Sequence, residues 1–171
     1  MRPVFIIGSL LVLVIVGFFI FSSSKPKPTS IAPTPQLQQE TRVEIKASFA
    51  IFTNRTFRVF TASMYHNLSN DVFIEASNPN IVRVRKRGVT WDDFFKTLPM
   101  KLTRDCLTTG TGQSFCTNSN QTLNFYINGK VDSNALDRII NEGDQLLVSH
   151  GVGDDTEIQK QLQQVPTVNQ N

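Results

Sequence analysis

Apolar and polar side chains follow different rules in successive parts of this chain. Residues 4–21, VFIIGSLLVLVIVGFFIF, carry no charge, and only Gly8, Ser9 and Gly17 interrupt the apolar run. At about 1.5 Å per residue, that run makes a helix of about 27 Å, close to the hydrocarbon thickness of a bilayer. A helix satisfies its own backbone hydrogen bonds, so it can cross without water. The pattern predicts an N-terminus of residues 1–3 inside and a transmembrane signal anchor over 4–22. A cleaved signal peptide has a shorter apolar region of about 7–15 residues, though Ser22 and Ser24 could serve as a cut. No cysteine follows the run, so a lipoprotein anchor is excluded. Residues 23–41 then break every regular pattern. Pro26, Pro28, Pro33 and Pro35 remove donors and fix φ, which predicts an extended, solvated linker.

From residue 42 the pattern is that of a folded domain. Val43, Ile45, Ala47, Phe49 and Ile51 recur at period two, a strand with one buried face. Thr53-Asn54-Arg55 breaks it, and residues 56–61 resume with Phe57 and Val59, which predicts a hairpin. Residues 72–76 read as a strand, Asn78-Pro79-Asn80 as a turn, and 81–86 as a fourth strand. At Thr90 the period changes. Thr90 is a good N-cap, Asp93 completes a capping-box pair, and Trp91, Phe94, Phe95 and Leu98 form a stripe at helical spacing. Pro99 ends the helix. Such a short helix needs a sheet to bury against.

Residues 123–127 alternate again. Asn128-Gly129 is the strongest hairpin signal in the chain. Residues 135–140 fit a short strand or a turn of helix. Glu142-Gly143-Asp144 turns into a last strand over 145–149, and Gly151 and Gly153 close the domain. In the segment 154–171, Ile158, Leu162 and Val165 could share a helix face ahead of Pro166, but the Gln- and Asn-rich composition predicts a disordered tail. Strand, hairpin, helix, strand and strand in that order predict an α+β fold over 42–153: a β-grasp-like mixed sheet holding one short helix.

Composition changes this picture little. The chain of 171 residues leaves room for one ordinary domain beside the anchor. The net charge of +3 is small, so no strong polyanion field is implied and nucleic acid is not an expected partner. One local exception is Arg83, Arg85, Lys86 and Arg87. That run reads as the solvated outer face of a sheet or as a contact for anionic headgroups or polymers.

Candidate chemistry is sparse. Cys106 and Cys116 flank LTTGTGQSF, a spacing unlike the two-residue gap of redox motifs or zinc knuckles. Outside a membrane, a structural disulfide is the economical reading; closing a loop of this size stabilises by about 3 kcal/mol on chain entropy. A redox-active pair and free thiols stay open as alternatives. His66 reads as loop surface and His150 as a strand end. No nucleophile sits at catalytic spacing, no glycine-rich phosphate loop opens a helix, and neither a metal site nor a cofactor is expected. Asn54-Arg-Thr, Asn67-Leu-Ser and Asn120-Gln-Thr are candidate N-glycosylation sequons. Orientation is nearly balanced, with Arg2 before the apolar run and Lys25 and Lys27 after it. The cysteine pair favours a single-pass protein of the cell membrane, with its C-terminal domain outside and the bilayer as partner through residues 4–22.

The unit LNFYINGK followed by NEGDQLLVSHG resembles the strand-pair ending of ubiquitin-like and sulfur-carrier β-grasp proteins. Residues 46–151 also resemble uncharacterised single-anchor extracytoplasmic proteins of archaea and uncultured bacteria. In those, a GVTWDDFFKTL-like helix, two cysteines and an FYING…GDQLLVSHG ending recur in this order. The resemblance implies a β-grasp domain outside the membrane. Some such relatives carry a disulfide-isomerase label, which implies thiol–disulfide oxidoreductase activity of Cys106 and Cys116 as one alternative. FYING…EGD is also similar to the β-grasp module of cobalamin-binding proteins, which implies a small-ligand binder as another. The leading expectation is non-enzymatic binding or scaffolding at the cell surface, toward a surface protein or small ligand.

Overall fold

The computed structural model describes residues 42–168; the anchor expected over 4–22 and the linker expected over 23–41 lie outside them. The described chain begins in earnest with β1 (Ile45–Thr53) and ends its last strand, β10, at Gln145–Gly151. These two strands lie side by side and parallel, with Phe49 opposite Leu146 and Ile51 opposite Val148. Around them the sheet builds outward. On one side β4 (Asn78–Val84) pairs antiparallel with β1, and β3 (Val72–Glu75) with β4. On the other, β8 (Thr122–Ile127) pairs antiparallel with β10, and β9 (Lys130–Val131) with β8. The order is β3-β4-β1-β10-β8-β9, and β2 (Thr56–Phe57) folds back on β1 to complete a seven-stranded mixed sheet.

The tight turns follow from residue type. Asn128 and Gly129 have φ of 52° and 79°, the double positive φ that a two-residue hairpin loop needs to match strand twist. The β1–β2 turn does the same with Asn54 at 49° and Arg55 at 66°. The turn expected at Asn78–Asn80 lies earlier: Glu75 pairs with Asn78, so the reversal falls at Ala76-Ser77 and Pro79 sits inside β4.

One face of the sheet carries the main core. Helix α1 (Trp91–Thr97) starts with the anticipated capping box: the Thr90 hydroxyl accepts from the Asp93 amide, and the Asp93 carboxylate accepts from the Thr90 amide. Trp91, Phe94, Phe95 and Leu98 are buried. Phe49 of β1 is their hub, with edge-to-face partners Phe60, Phe94 and Phe95 at ring-centroid distances of 5.0, 5.2 and 5.8 Å. Residues 135–137 form a 3-10 turn that buries Ala135 and Leu136 beside α1.

Beneath the same core lies a small three-stranded sheet of β5 (Lys101–Leu102), β6 (Cys106–Thr108) and β7 (Ser114–Cys116). Leu102, Leu107 and Phe115 insert from it into the main cluster. Cys106 and Cys116 stand directly opposite each other and are joined by a disulfide, with Cα atoms 4.0 Å apart. The neighbouring pair carries the backbone bond, Thr117 N to Asp105 O at 2.8 Å, so the cysteines occupy the closer, non-hydrogen-bonded kind of cross-strand pair. Gly110 in the connecting loop is dictated by space: a Cβ there would lie 2.5 Å from the Pro99 carbonyl oxygen.

The opposite face differs from expectation. Residues 155–162, expected within a disordered tail, form a second helix, α2 (Asp155–Leu162), capped by the Asp154 side chain on the Thr156 amide. Ile158 and Val165 are buried against Ala50, Phe52 and Leu147, with Phe57, Tyr126 and Leu162 at the margin. The sheet therefore has two covered faces. This accounts for the uninterrupted Phe49-Ala50-Ile51-Phe52 in β1, where a strand with one wet face would alternate. The fold is α+β with a mixed sheet and one disulfide, as expected, but with a helix on each side rather than one.

Candidate functional site

Cys116 is exposed and Cys106 half-buried at the rim of the small sheet. Behind them, His150 at the end of β10 is 3 % exposed. Its Nε2 lies 3.2 Å from the Cys116 carbonyl oxygen, and its ring meets Phe115 edge-to-face at 5.6 Å. The Arg58 guanidinium covers Phe115 at 4.7 Å from the ring centroid, and its Nε donates to the Thr53 hydroxyl. The imidazole thus ties the last strand to the disulfide hairpin. His66 is far from it in role: its Nε2 lies 2.8 Å from the Phe60 carbonyl oxygen, closing the 60–66 loop.

The basic run is mostly neutralised. Arg83 pairs with Glu44 at 2.9 Å and with Glu75 at 3.1 Å; Arg85 lies 3.9 Å from Glu44 and stacks over Phe73; Lys86 lies 3.9 Å from Asp71. Each such pair is half-exposed and contributes little stability. Arg87 is exposed.

The sequon asparagines Asn54, Asn67 and Asn120 are all exposed in turns or loops. Asn54 and Asn67 have positive φ, at 49° and 54°.

A cleft of about 290 Å³ opens between α2 and the sheet, at the ends of β1 and β10. Asn54 and Arg55 of the β1–β2 turn, Thr122 and Asn124 of β8, Ser149 of β10, and Glu157 and Gln161 of α2 line it. Its wall is built by three hydrogen bonds. Gln121 Nε2 donates to Asn54 Oδ1 at 2.8 Å, Asn124 Nδ2 to the Thr122 hydroxyl at 2.8 Å, and Gln161 Nε2 to Glu157 Oε1 at 3.3 Å. Arg55 and Asp154 approach to 4.0 Å at the rim. Gln161 is buried, yet its Oε1 has no protein partner. An unpaired buried acceptor costs about 1–3 kcal/mol. Next to the cleft, burial raises the pKa of the Tyr126 phenol, and the Asp155 carboxylate raises it further. Tyr126 therefore stays neutral.

Sequence reasoning passed over Gln161, Glu157, Asn124 and Ser149 because they belong to a face formed only when α2 docks. The Ile158, Leu162 and Val165 spacing was the available signal. Among the described residues, no group of three or more His, Cys, Asp or Glu could hold a metal ion, and no helix is long and apolar enough to cross a membrane. The chain matches no family model, no curated protein and no solved structure.

Proposed function

We propose that this chain is a single-pass membrane protein whose β-grasp-like domain sits outside the cell membrane and works by binding or scaffolding rather than catalysis. The observation that carries the placement is the Cys106–Cys116 disulfide, because such bonds persist where the surroundings are oxidising. The apolar run 4–21 and the proline-rich segment after it agree with a tether. The β-grasp reading draws support from the parallel pairing of the first and last strands at the sheet centre, with α1 on one face. The binding reading draws support from the polar cleft beside α2. Its volume suits a small ligand far better than a corrin ring.

A second reading, a thiol–disulfide oxidoreductase, is favoured by the exposure of Cys116. Insulin reduction by the purified protein, abolished by Cys106→Ser, would support it over a structural bridge.

The placement is tested on intact cells with a membrane-impermeant maleimide, before and after reduction. We expect the protein in the membrane fraction, labelled on intact cells only after reduction. Labelling only after lysis contradicts the external assignment.

A further inference from the structure

A second cavity, of about 250 Å³, lies beside the main core, between the segment that follows β2 and the loop that joins β6 to β7. Each wall is held by its own hydrogen bonds. In the loop, Thr109 N donates to Gln113 O at 2.8 Å, and the Thr109 and Thr111 hydroxyls meet at 2.9 Å. Across from it, Arg58 N donates to Ile51 O at 2.8 Å, and His66 Nε2 lies 2.8 Å from Phe60 O. The cavity is therefore preformed, and a ligand need not order it.

Its lining is apolar with one charge. Phe60 and Leu107 are buried at its base, and half-buried Tyr65 and Met100 continue the apolar surface outward. Val59 also lines it and is 64 % exposed. Met64, 51 % exposed, brings its methyl group to 3.7 Å from where a Cβ on Gly110 would stand. Large apolar side chains left in water around a cavity mark a surface that something covers. Arg58 is the only charged residue among the described residues that line it. The guanidinium stands over the ring of Phe115, the cross-strand partner of Leu107, which places the cation at that end of the cavity. Its Nε is committed to the Thr53 hydroxyl, and among the described residues no carboxylate pairs with it. A half-buried cation without an anion favours an incoming carboxylate. A cationic ligand is repelled, and a neutral polar one finds the two threonine hydroxyls engaged with each other.

We propose that this cavity binds a small apolar monocarboxylate, with its hydrocarbon part against Tyr65, Met100 and Val59 and its carboxylate at the Arg58 end. The volume falls below the about 300 Å³ at which ordinary small-molecule sites begin, so the hydrocarbon part is a single ring or a short chain. The site is separate from the cleft beside α2. The inference goes beyond the proposed function and depends neither on that cleft nor on the tether.

The chain has three methionines, Met1, Met64 and Met100, and two of them stand at this cavity. The full-length chain, labelled with carbon-13 at the methionine methyls, is placed in zwitterionic lipid nanodiscs and titrated at neutral pH with phenylpropionate and with its neutral amide. The Met64 and Met100 signals should shift saturably with phenylpropionate at millimolar concentration or below, while Met1 stays still. The amide should bind at least about threefold more weakly. Arg58→Gln should remove that preference. Val59→Glu, at an exposed position, sets a carboxylate beside the cavity and should weaken phenylpropionate binding by at least about threefold with an unchanged melting temperature. If Arg58→Gln lowers the melting temperature, Val59→Glu decides alone. The proposal is overturned if Met64 and Met100 do not shift saturably, if the amide binds as tightly as the acid, or if neither substitution changes the preference for the acid. External labelling without these shifts removes this inference alone.

Discussion

Asn54 and Arg55 make the same backbone turn as Asn128 and Gly129, but with less suitable chemistry. Both pairs hold two consecutive positive φ values. Glycine takes that conformation without steric cost, and asparagine tolerates it. Arginine does neither, and its distant partner Asp154 at 4.0 Å, exposed on both sides, offers little in return. Arg55→Gly should therefore stabilise the domain by up to about 1 kcal/mol, read as a higher urea midpoint at constant slope. A lower midpoint would mean that Arg55 is held by something stronger than this ion pair. The same residue shows what sequence could convey. Thr53-Asn54-Arg55 was legible as a break because it interrupts an apolar alternation, and Asn128-Gly129 was legible as a hairpin because few other pairs accept those angles. The Ala76-Ser77 reversal was not, because Asn78-Pro79-Asn80 next to it carries the more typical turn residues. Pairing of Glu75 with Asn78 overrode them.

Helix α1 shows local and tertiary signals agreeing. Its cap is reciprocal, and its apolar stripe meets Phe49. The Asp93 carboxyl is held below the usual carboxylate range, chiefly by the Thr90 amide and then by the Thr90 hydroxyl. A lowered native pKa stabilises the fold above the unfolded carboxyl pKa of about 3.9 and is lost as pH falls through the native value. Thr90→Ala should cost about 1 kcal/mol at neutral pH. In denaturation curves repeated below about pH 4, its difference from the parent should shrink. A difference that stays constant into acid would assign the cost to the Thr90 hydroxyl's bond from the Asp93 amide, which does not titrate, rather than to its bond to the carboxylate. Helix α2 shows the opposite case. Its Gln-rich composition pointed to a tail, and its apolar positions are few: Ile158, Leu162 and Val165. What makes it a helix is the second apolar face of β1 and β10, Ala50, Phe52 and Leu147, which needs a cover. The run Phe49–Phe52 carried that information, but only once β1 is known to be central does a doubly buried strand follow from it.

For the whole molecule, the order of elements was more legible than their closure. The longer alternating segments, the helix start and the last strand were readable from period and turn chemistry; residues 56–61, expected to continue the first hairpin, pair only over Thr56–Phe57 and leave Val59 exposed. Two features were not: the small sheet of β5, β6 and β7, whose strands are too short for a period, and the cleft, whose walls come from four segments far apart in sequence. The disulfide links these scales. It joins residues ten apart in sequence, anchors the small sheet against the core through Leu107 and Phe115, and touches the last strand through His150. It also bears on where the domain resides, because the same bond is retained only where thiols are not kept reduced. The most direct measurement is differential alkylation of protein taken from cells, with one reagent before reduction and another after, followed by mass mapping of the Cys106 and Cys116 peptides. The account predicts that both cysteines carry only the second reagent and that an unreduced digest contains the two peptides joined. Both cysteines carrying the first reagent, in protein recovered from the soluble cytosolic fraction, would contradict it.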